Sequence, residues 1–299
     1  MRYFKFIIGL LLIFGLSECI SDVAVNIENS PAEIIMNSIL NPMNDTVFVS
    51  LSYTKSIDFE QPFEAIENAK IELFTGEKSV GKFLYADSSR YYLPIPVKPG
   101  ETYRIEAETG EKKVWAETTV PAQLNASAEK LSPSIEGYQF TFMDNPDENN
   151  YYWVTATGYE RLLDTSYQDT LIFNFRNKIA DIIFSDYRYA DDFNRYISEF
   201  GRYKFEYRHY IRFSDNQLPD TLLQVRFRPM TGESPEIFIF STDYHLDKYM
   251  KSSLLLERME LLAEDMPVIY SPQPVYSNVH GGTGIFGSFT SFSKAYEKN

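Results

Sequence analysis

Between Asp22 and Gln123, apolar and polar residues alternate in short runs with a period of two. That period belongs to a half-buried β-strand, whose side chains point to opposite faces in turn. Val23, Val25 and Ile27 share one side. Val47, Val49, Leu51 and Tyr53 give the clearest run, and Ile71 with Leu73 repeats it. Lys82 to Tyr85 and Arg90 to Leu93 are shorter pieces. Tyr103, Ile105 and Ala107 alternate again, and Val114 to Val120 forms a last strand that Pro121 ends. Turn signals separate these runs at Thr75-Gly76-Glu77, Pro99-Gly100-Glu101 and Thr109-Gly110-Glu111. Many short strands with frequent turns predict an immunoglobulin-like β-sandwich over residues 22–123. Trp115, a lone Trp in a strand, is expected in the core, although Val114 and Ala116 face the other way.

Residues 128–299 read as a second β-rich domain, sandwich or barrel-like. Strands are predicted at Tyr138 to Phe142, Tyr151 to Tyr159, Leu171 to Phe175, Ile182 to Phe184, Lys204 to Phe213, Thr221 to Arg228 and Ile237 to Phe240. Phe193, Ile197 and Phe200 have the spacing of a short helix. One long helix is predicted over about 244–263, with Asp243 as its N-cap. After Pro267, Pro272 and Pro274, a glycine-rich stretch leads into a strand at Ile285 to Phe289. It lacks the Gly-Lys-Ser/Thr ending and the following helix of a phosphate loop.

The start of the chain follows another pattern. Arg2 and Lys5 precede an apolar run, Phe6 to Leu16, broken only by Gly9 and Gly15. A charged start followed by such a run is a secretory signal peptide, too short to span a bilayer. It ends at Leu16-Ser17-Glu18-Cys19, which resembles a bacterial lipobox. The resemblance implies that residues 1–19 are a lipoprotein signal and that Cys19 carries acyl chains such as palmitate. Glu18 departs from the small residue usual there. Ordinary cleavage after Cys19 is the alternative. Cys19 is the only cysteine, so no disulfide forms within the chain.

Composition narrows the function classes. About 280 residues follow the signal, with 44% hydrophobic residues in the whole chain, enough for a real core. Aromatic residues make up 16%, which suits pleated, half-buried surfaces. Losing Arg2, Lys5 and Glu18 with the signal takes the net charge from −14 to −15. That balance argues against nucleic acid, which basic patches bind.

Candidate chemistry is sparse. His209, His245 and His280 fall in no metalloprotease pattern, and no Gly-x-Ser-x-Gly elbow occurs. Asp144, Asp147 and Glu148 are weak metal candidates; EF-hand spacing is missing and a hairpin turn explains them better. Asp191-Asp192 and Asp144-Asp147 are the nearest carboxylate pairs for glycosidase chemistry, and both read as solvated loops. No cofactor is expected. The long segment Asp186 to Tyr203 is the candidate contact surface, through Tyr187, Tyr189, Tyr196 and Phe200. A lid packed by its own tyrosines is the alternative.

The ending, with Asp247-Lys248-Tyr249-Met250-Lys251 in the helix and Val275-Tyr276-Ser277-Asn278-Val279-His280-Gly281-Gly282-Thr283-Gly284-Ile285-Phe286-Gly287 after it, resembles domain-of-unknown-function family 4249. The Phe184-Ser185-Asp186 step and the Asp144 to Tyr152 turn are similar to that family too. The resemblance implies an envelope lipoprotein of Bacteroidota, lipid-anchored in the outer membrane, with the cell surface and the periplasmic face both open as the side it occupies. It also implies a TonB-dependent transporter as partner, and brings no catalytic residues. A non-enzymatic accessory or binding component of that transporter system is therefore expected. The alternatives are a surface enzyme acting on glycans or peptides, and a structural adhesion protein. A buried acid pair lining a cleft would favour the enzyme.

Overall fold

The computed structural model describes residues 32–54, 63–131, 138–143, 149–164, 171–180, 182–184, 195–197, 203–205, 210–214, 222–229, 233–265 and 274–295. The first half holds β1 (Ile34–Leu40), β2 (Val47–Tyr53), β3 (Lys70–Thr75), β4 (Lys78–Lys82), β5 (Leu84–Asp87), β6 (Arg90–Leu93), β7 (Thr102–Thr109) and β8 (Lys112–Thr119). Then come β9 (Asn125–Lys130), β10 (Tyr138–Met143), β11 (Tyr151–Asp164), β12 (Leu171–Ala180), β13 (Ile182–Phe184), β14 (Arg195–Ile197) and β15 (Tyr203–Phe205). The chain ends with β16 (Tyr210–Ser214), β17 (Leu222–Pro229), β18 (Glu233–Thr242), α1 (Tyr244–Asp265) and β19 (Thr283–Ala295).

The protein is mainly β, and one sheet organises it. Its strands run in the order β12-β11-β18-β19-β1-β2-β6-β5, with β16 also paired to β11. The C-terminal strand β19 makes the sheet continuous: it pairs parallel with β1, Ile35 opposite Thr283, and antiparallel with β18, Thr242 opposite Phe289. The boundary expected between residues 123 and 128 falls at the start of β9, yet the large sheet runs unbroken from one half to the other.

Register traces one face of this sheet across β2, β1, β19, β18 and β11. Met36 lies opposite Leu51 and Gly284, and Ile239 lies opposite Phe292 and Val154. Residues opposite each other in a ladder point to the same side. That side therefore carries Ile34, Met36, Val49, Leu51, Phe286, Ile239 and Val154, all of them buried. Two four-stranded sheets cover it. Sheet β4-β3-β7-β8 supplies Ile71, Leu73, Tyr103, Ile105, Ala107, Val114 and Ala116 to a first core. Sheet β13-β17-β10-β9 supplies Phe140 and Phe142 to a second, with Tyr152, Ile211, Phe213 and Ile237. Burial of so much branched and aromatic surface is the main stabilising term, at about 25 cal/mol per Å².

The first sandwich is immunoglobulin-like, as expected. The barrel-like alternative for the second half is corrected: no sheet closes on itself among the described residues. Arg195–Ile197 is a strand paired with β15, not part of a helix, because its backbone partners lie across a hairpin. The predicted strand from Lys204 to Phe213 is two strands. Trp115 is also a correction. Val114 and Ala116 fill the core, so the period of two turns Trp115 outward, where it remains 36% exposed.

Helix α1 begins where predicted and crosses the other face of the large sheet over β19. Leu246 rests on Gly287, where an added Cβ would come within 2.8 Å of the Leu246 Cβ. No helix among the described residues is long and apolar enough to cross a membrane.

Candidate functional site

The first turn of α1 gathers the buried polar groups. Asp243 caps it: Oδ1 accepts the Leu246 N–H at 2.9 Å and the Ser288 N–H at 3.1 Å. Oδ2 accepts the Thr118 hydroxyl at 2.5 Å. The Ser288 hydroxyl donates to the Thr119 carbonyl at 2.9 Å, and that of Thr290 to the Ala122 carbonyl at 2.9 Å. One carboxylate thus ties the helix, β19 and β8 together. Burial raises the Asp243 pKa above its ordinary value, against the pull of its three donors.

One turn further, Asp247 is buried. Arg212 of β16 grips it with two prongs, Nε to Oδ1 at 2.6 Å and Nη2 to Oδ2 at 2.9 Å. The Trp153 indole N–H donates to Oδ1 at 3.0 Å. The Arg212 guanidinium also lies 5.4 Å from the centre of the Tyr151 ring. Trp153 and Arg212 are cross-strand partners, so both reach the helix from the same side of the sheet.

The glycine-rich ending locks the sheets together. Asn278 acts as a strand in miniature: its Oδ1 accepts the Phe286 N–H at 2.9 Å, and its Nδ2 donates to the carbonyls of Phe286 at 2.8 Å and Glu117 at 3.3 Å. His280 and Trp115 exchange backbone hydrogen bonds and stack their rings at 4.1 Å. Gly284 has φ +119°, and a Cβ there would collide with the Met36 carbonyl oxygen. At Gly282 it would collide with that of Ile34. These glycines let β19 approach β1 and β8; they do not cradle a phosphate.

The accessible chemistry is aromatic and polar. Tyr244 is exposed at the start of the helix, with ring centres of Tyr151 at 6.2 Å and Tyr276 at 6.4 Å. The Tyr276 hydroxyl sits 2.8 Å from His245 Nδ1. Burial raises the Tyr276 pKa, with Tyr244 and Asp243 adding to it. A depression of about 540 Å³ is lined by Lys70, Glu72, Lys82, Glu106 and Glu108. Its acids are already engaged: Glu106 with Arg104 at 2.5 Å and Lys113 at 2.8 Å, and Glu72 with the Ser79 hydroxyl. A second groove, about 370 Å³, lies between Tyr249 of α1 and the Asn37, Ile39 and Phe48 side chains of β1 and β2.

Cys19, Asp144, Asp147, Glu148, Tyr187, Tyr189 and Phe200 lie outside the described residues. Tyr196 is placed by its backbone alone, in β14 opposite Lys204. Among the described residues, no three His, Cys, Asp or Glu side chains are grouped to hold a metal ion. His245 belongs to the helix start, beside Tyr276, and His280 to the strand junction, stacked on Trp115. Sequence reasoning missed the Trp153, Arg212 and Asp247 cluster. Its members lie far apart along the chain, and none has a local pattern that marks it.

A family model described as Domain of unknown function (DUF4249) matches residues 20–295. The chain belongs to this family. The match covers both cores and ends with β19, so the DUF4249 unit is the whole described structure rather than one of its halves. No curated protein matches the chain. Among solved structures, the DUF4249 chain is similar to the Yersinia pseudotuberculosis adhesin InvE at 9% identity and a TM-score of 0.20. That likeness covers 71% of this chain, which spans about half the length of the adhesin, 55%. The collagen adhesin (CNA) from S. aureus gives 7% identity and a TM-score of 0.18, over 88% of this chain and 93% of that one. At such scores neither likeness bears on function.

Proposed function

We propose that this chain is a lipoprotein of the outer membrane, held by acyl chains on Cys19. It serves as a non-enzymatic binding component beside a TonB-dependent transporter. The observation that carries this reading is the leader itself, a charged start and apolar run closing on the one cysteine of the chain. The family resemblance supplies the transporter as partner. The rigid β body with exposed aromatic rings at Tyr244 and Trp115 supports recognition, since such rings give large contact area at small entropic cost.

Two acids, Asp243 and Asp247, are buried one turn apart at the start of α1, but both are committed to holding the fold together. Asp243 and Asp247 are each saturated by donors from neighbouring elements. The test has two parts, made on the tagged chain in its own host. Metabolic labelling with a clickable palmitate analogue should mark the wild type and leave Cys19→Ser dark. A detergent extract should then yield a TonB-dependent transporter alongside the protein. An unlabelled wild type refutes the anchor, and recovery of the chain alone refutes the partner.

A further inference from the structure

Among the described residues, the face of the large sheet crossed by α1 is only partly covered over β1, β2, β6 and β5, with Tyr249 of the helix lining a groove against Ile39 and Phe48. Exposed sheet faces are usually polar, but here one row is not. Phe48 lies opposite Tyr92, and Tyr92 opposite Leu84. The β1–β2 register, continued two residues, sets Ile39 opposite Phe48. Ile39, Phe48 and Leu84 are 44%, 55% and 54% exposed. The row lies at the end of the sheet where β1 turns into β2, and Met43 at that turn is 68% exposed. The turn is fixed by its own hydrogen bonds: Asn41 Oδ1 accepts the Met43 N–H at 3.0 Å, and the Asn41 carbonyl accepts the Asn44 N–H at 3.0 Å. Asp45 is the single charge between Leu40 and Phe48.

We infer that this apolar end is a lipid-contact surface: Ile39, Met43, Phe48 and Leu84 rest in the headgroup boundary of the bilayer that holds Cys19. The inference rests on the anchor proposed above. Fourteen residues, Ile20 to Glu33, separate Cys19 from β1 and can span at most about 46–50 Å. β1 itself carries the chain only about 20 Å from its start to the turn. The tether is therefore long enough for the turn to lie on the same membrane surface as the anchor. A net charge near −15 disfavours electrostatic docking onto anionic lipid, which fits an apolar contact better than a charged one. Side chains of this kind settle about 5–10 Å deep at the acyl boundary, and they supply the second signal that turns a tether into a fixed orientation.

The test uses the full acylated chain in vesicles of phosphatidylcholine and phosphatidylethanolamine. With Cys19 acylated, the thiol of Met43→Cys is the only one present, and it takes an environment-sensitive fluorophore. Val80→Cys, on β4 in another sheet, is the control. Blue-shifted emission at position 43, quenched by lipids spin-labelled near the headgroup, is expected, with no quenching at position 80. Chain that floats with the vesicles while its Met43 probe stays in water overturns the inference and leaves the anchor standing. Chain that does not float overturns both. A Met43 probe shielded only when a second membrane protein is added, and not by lipid alone, also overturns it, in favour of a protein partner.

Discussion

Asp247 of the helix and Arg212 of β16 form a buried two-pronged ion pair, with side chains 1% and 6% exposed. The pair joins elements 35 residues apart. Trp153 donates to the same carboxylate, so three separate stretches of chain meet at one residue. A buried pair of this kind adds little net stability over an apolar isostere, but leaving one partner alone is costly.

Asp247→Ala is therefore expected to lose about 3–5 kcal/mol, since it strands the guanidinium. The double change Asp247→Leu with Arg212→Met should be less damaging than either Asp247→Ala or Arg212→Ala. Urea unfolding of Asp247→Leu, Arg212→Met and their double, read as a thermodynamic cycle beside the two alanine variants, checks this. Additive losses would show that the two residues do not act as a pair.

Asp243 makes the stability depend on pH. Its folded pKa is raised by burial above the ordinary 3.8. Between those two values the folded chain keeps a proton that the unfolded chain has lost. This group's contribution is thus full below the unfolded pKa and falls away as pH rises through the folded one. Asn at 243 keeps a capping oxygen and cannot ionise. The stability of Asp243→Asn relative to wild type should therefore improve as pH is raised from 4 to 7. Unfolding free energies across that range test it, and a constant difference would contradict the raised pKa.

Gly284 and Gly110 both have positive φ, yet their surroundings differ. At Gly110 a Cβ would meet open space. Gly110→Ala should cost about 1–2 kcal/mol, the left-handed penalty alone. At Gly284 the Met36 carbonyl and the Asn37 Oδ1, 2.8 Å from the built Cβ, stand in the way. Gly284→Ala should part β19 from β1 and leave the chain open to protease. Limited proteolysis and thermal melts of both variants decide this; equal behaviour would show that space at β19 is not limiting.

Asn278→Ala removes three hydrogen bonds, two to Phe286 of β19 and one to Glu117 of β8. The expected loss is about 2–3 kcal/mol, at roughly 1 kcal/mol each. Hydrogen exchange should speed up at the Phe286 amide in particular. Unchanged exchange there would mean that another group takes over the role of the side chain.

Much of the first sandwich was legible from local pattern. Val47, Val49 and Leu51 alternate and are buried in turn; Asp243 caps the helix, and Gly76, Gly100 and Gly110 turn the chain with positive φ. β1 was missed. It is a central strand with neighbours on both sides, and Ile35 and Ile39 make it apolar on its second face too, which hides the alternation. The direction of Trp115 was misread because parity fixes only that it opposes Val114 and Ala116. Which set faces the core depends on the sheet packed above.

The chain by itself determined strand period, turns, the helix and its cap, because these depend on neighbours within a few residues. Tertiary structure alone decided that β19 returns to β1, that both cores share one sheet, and that Asp247 meets Arg212. Those choices pair residues tens to hundreds of positions apart. They are set by which buried surfaces and polar groups can be satisfied together, which no local run of residues records.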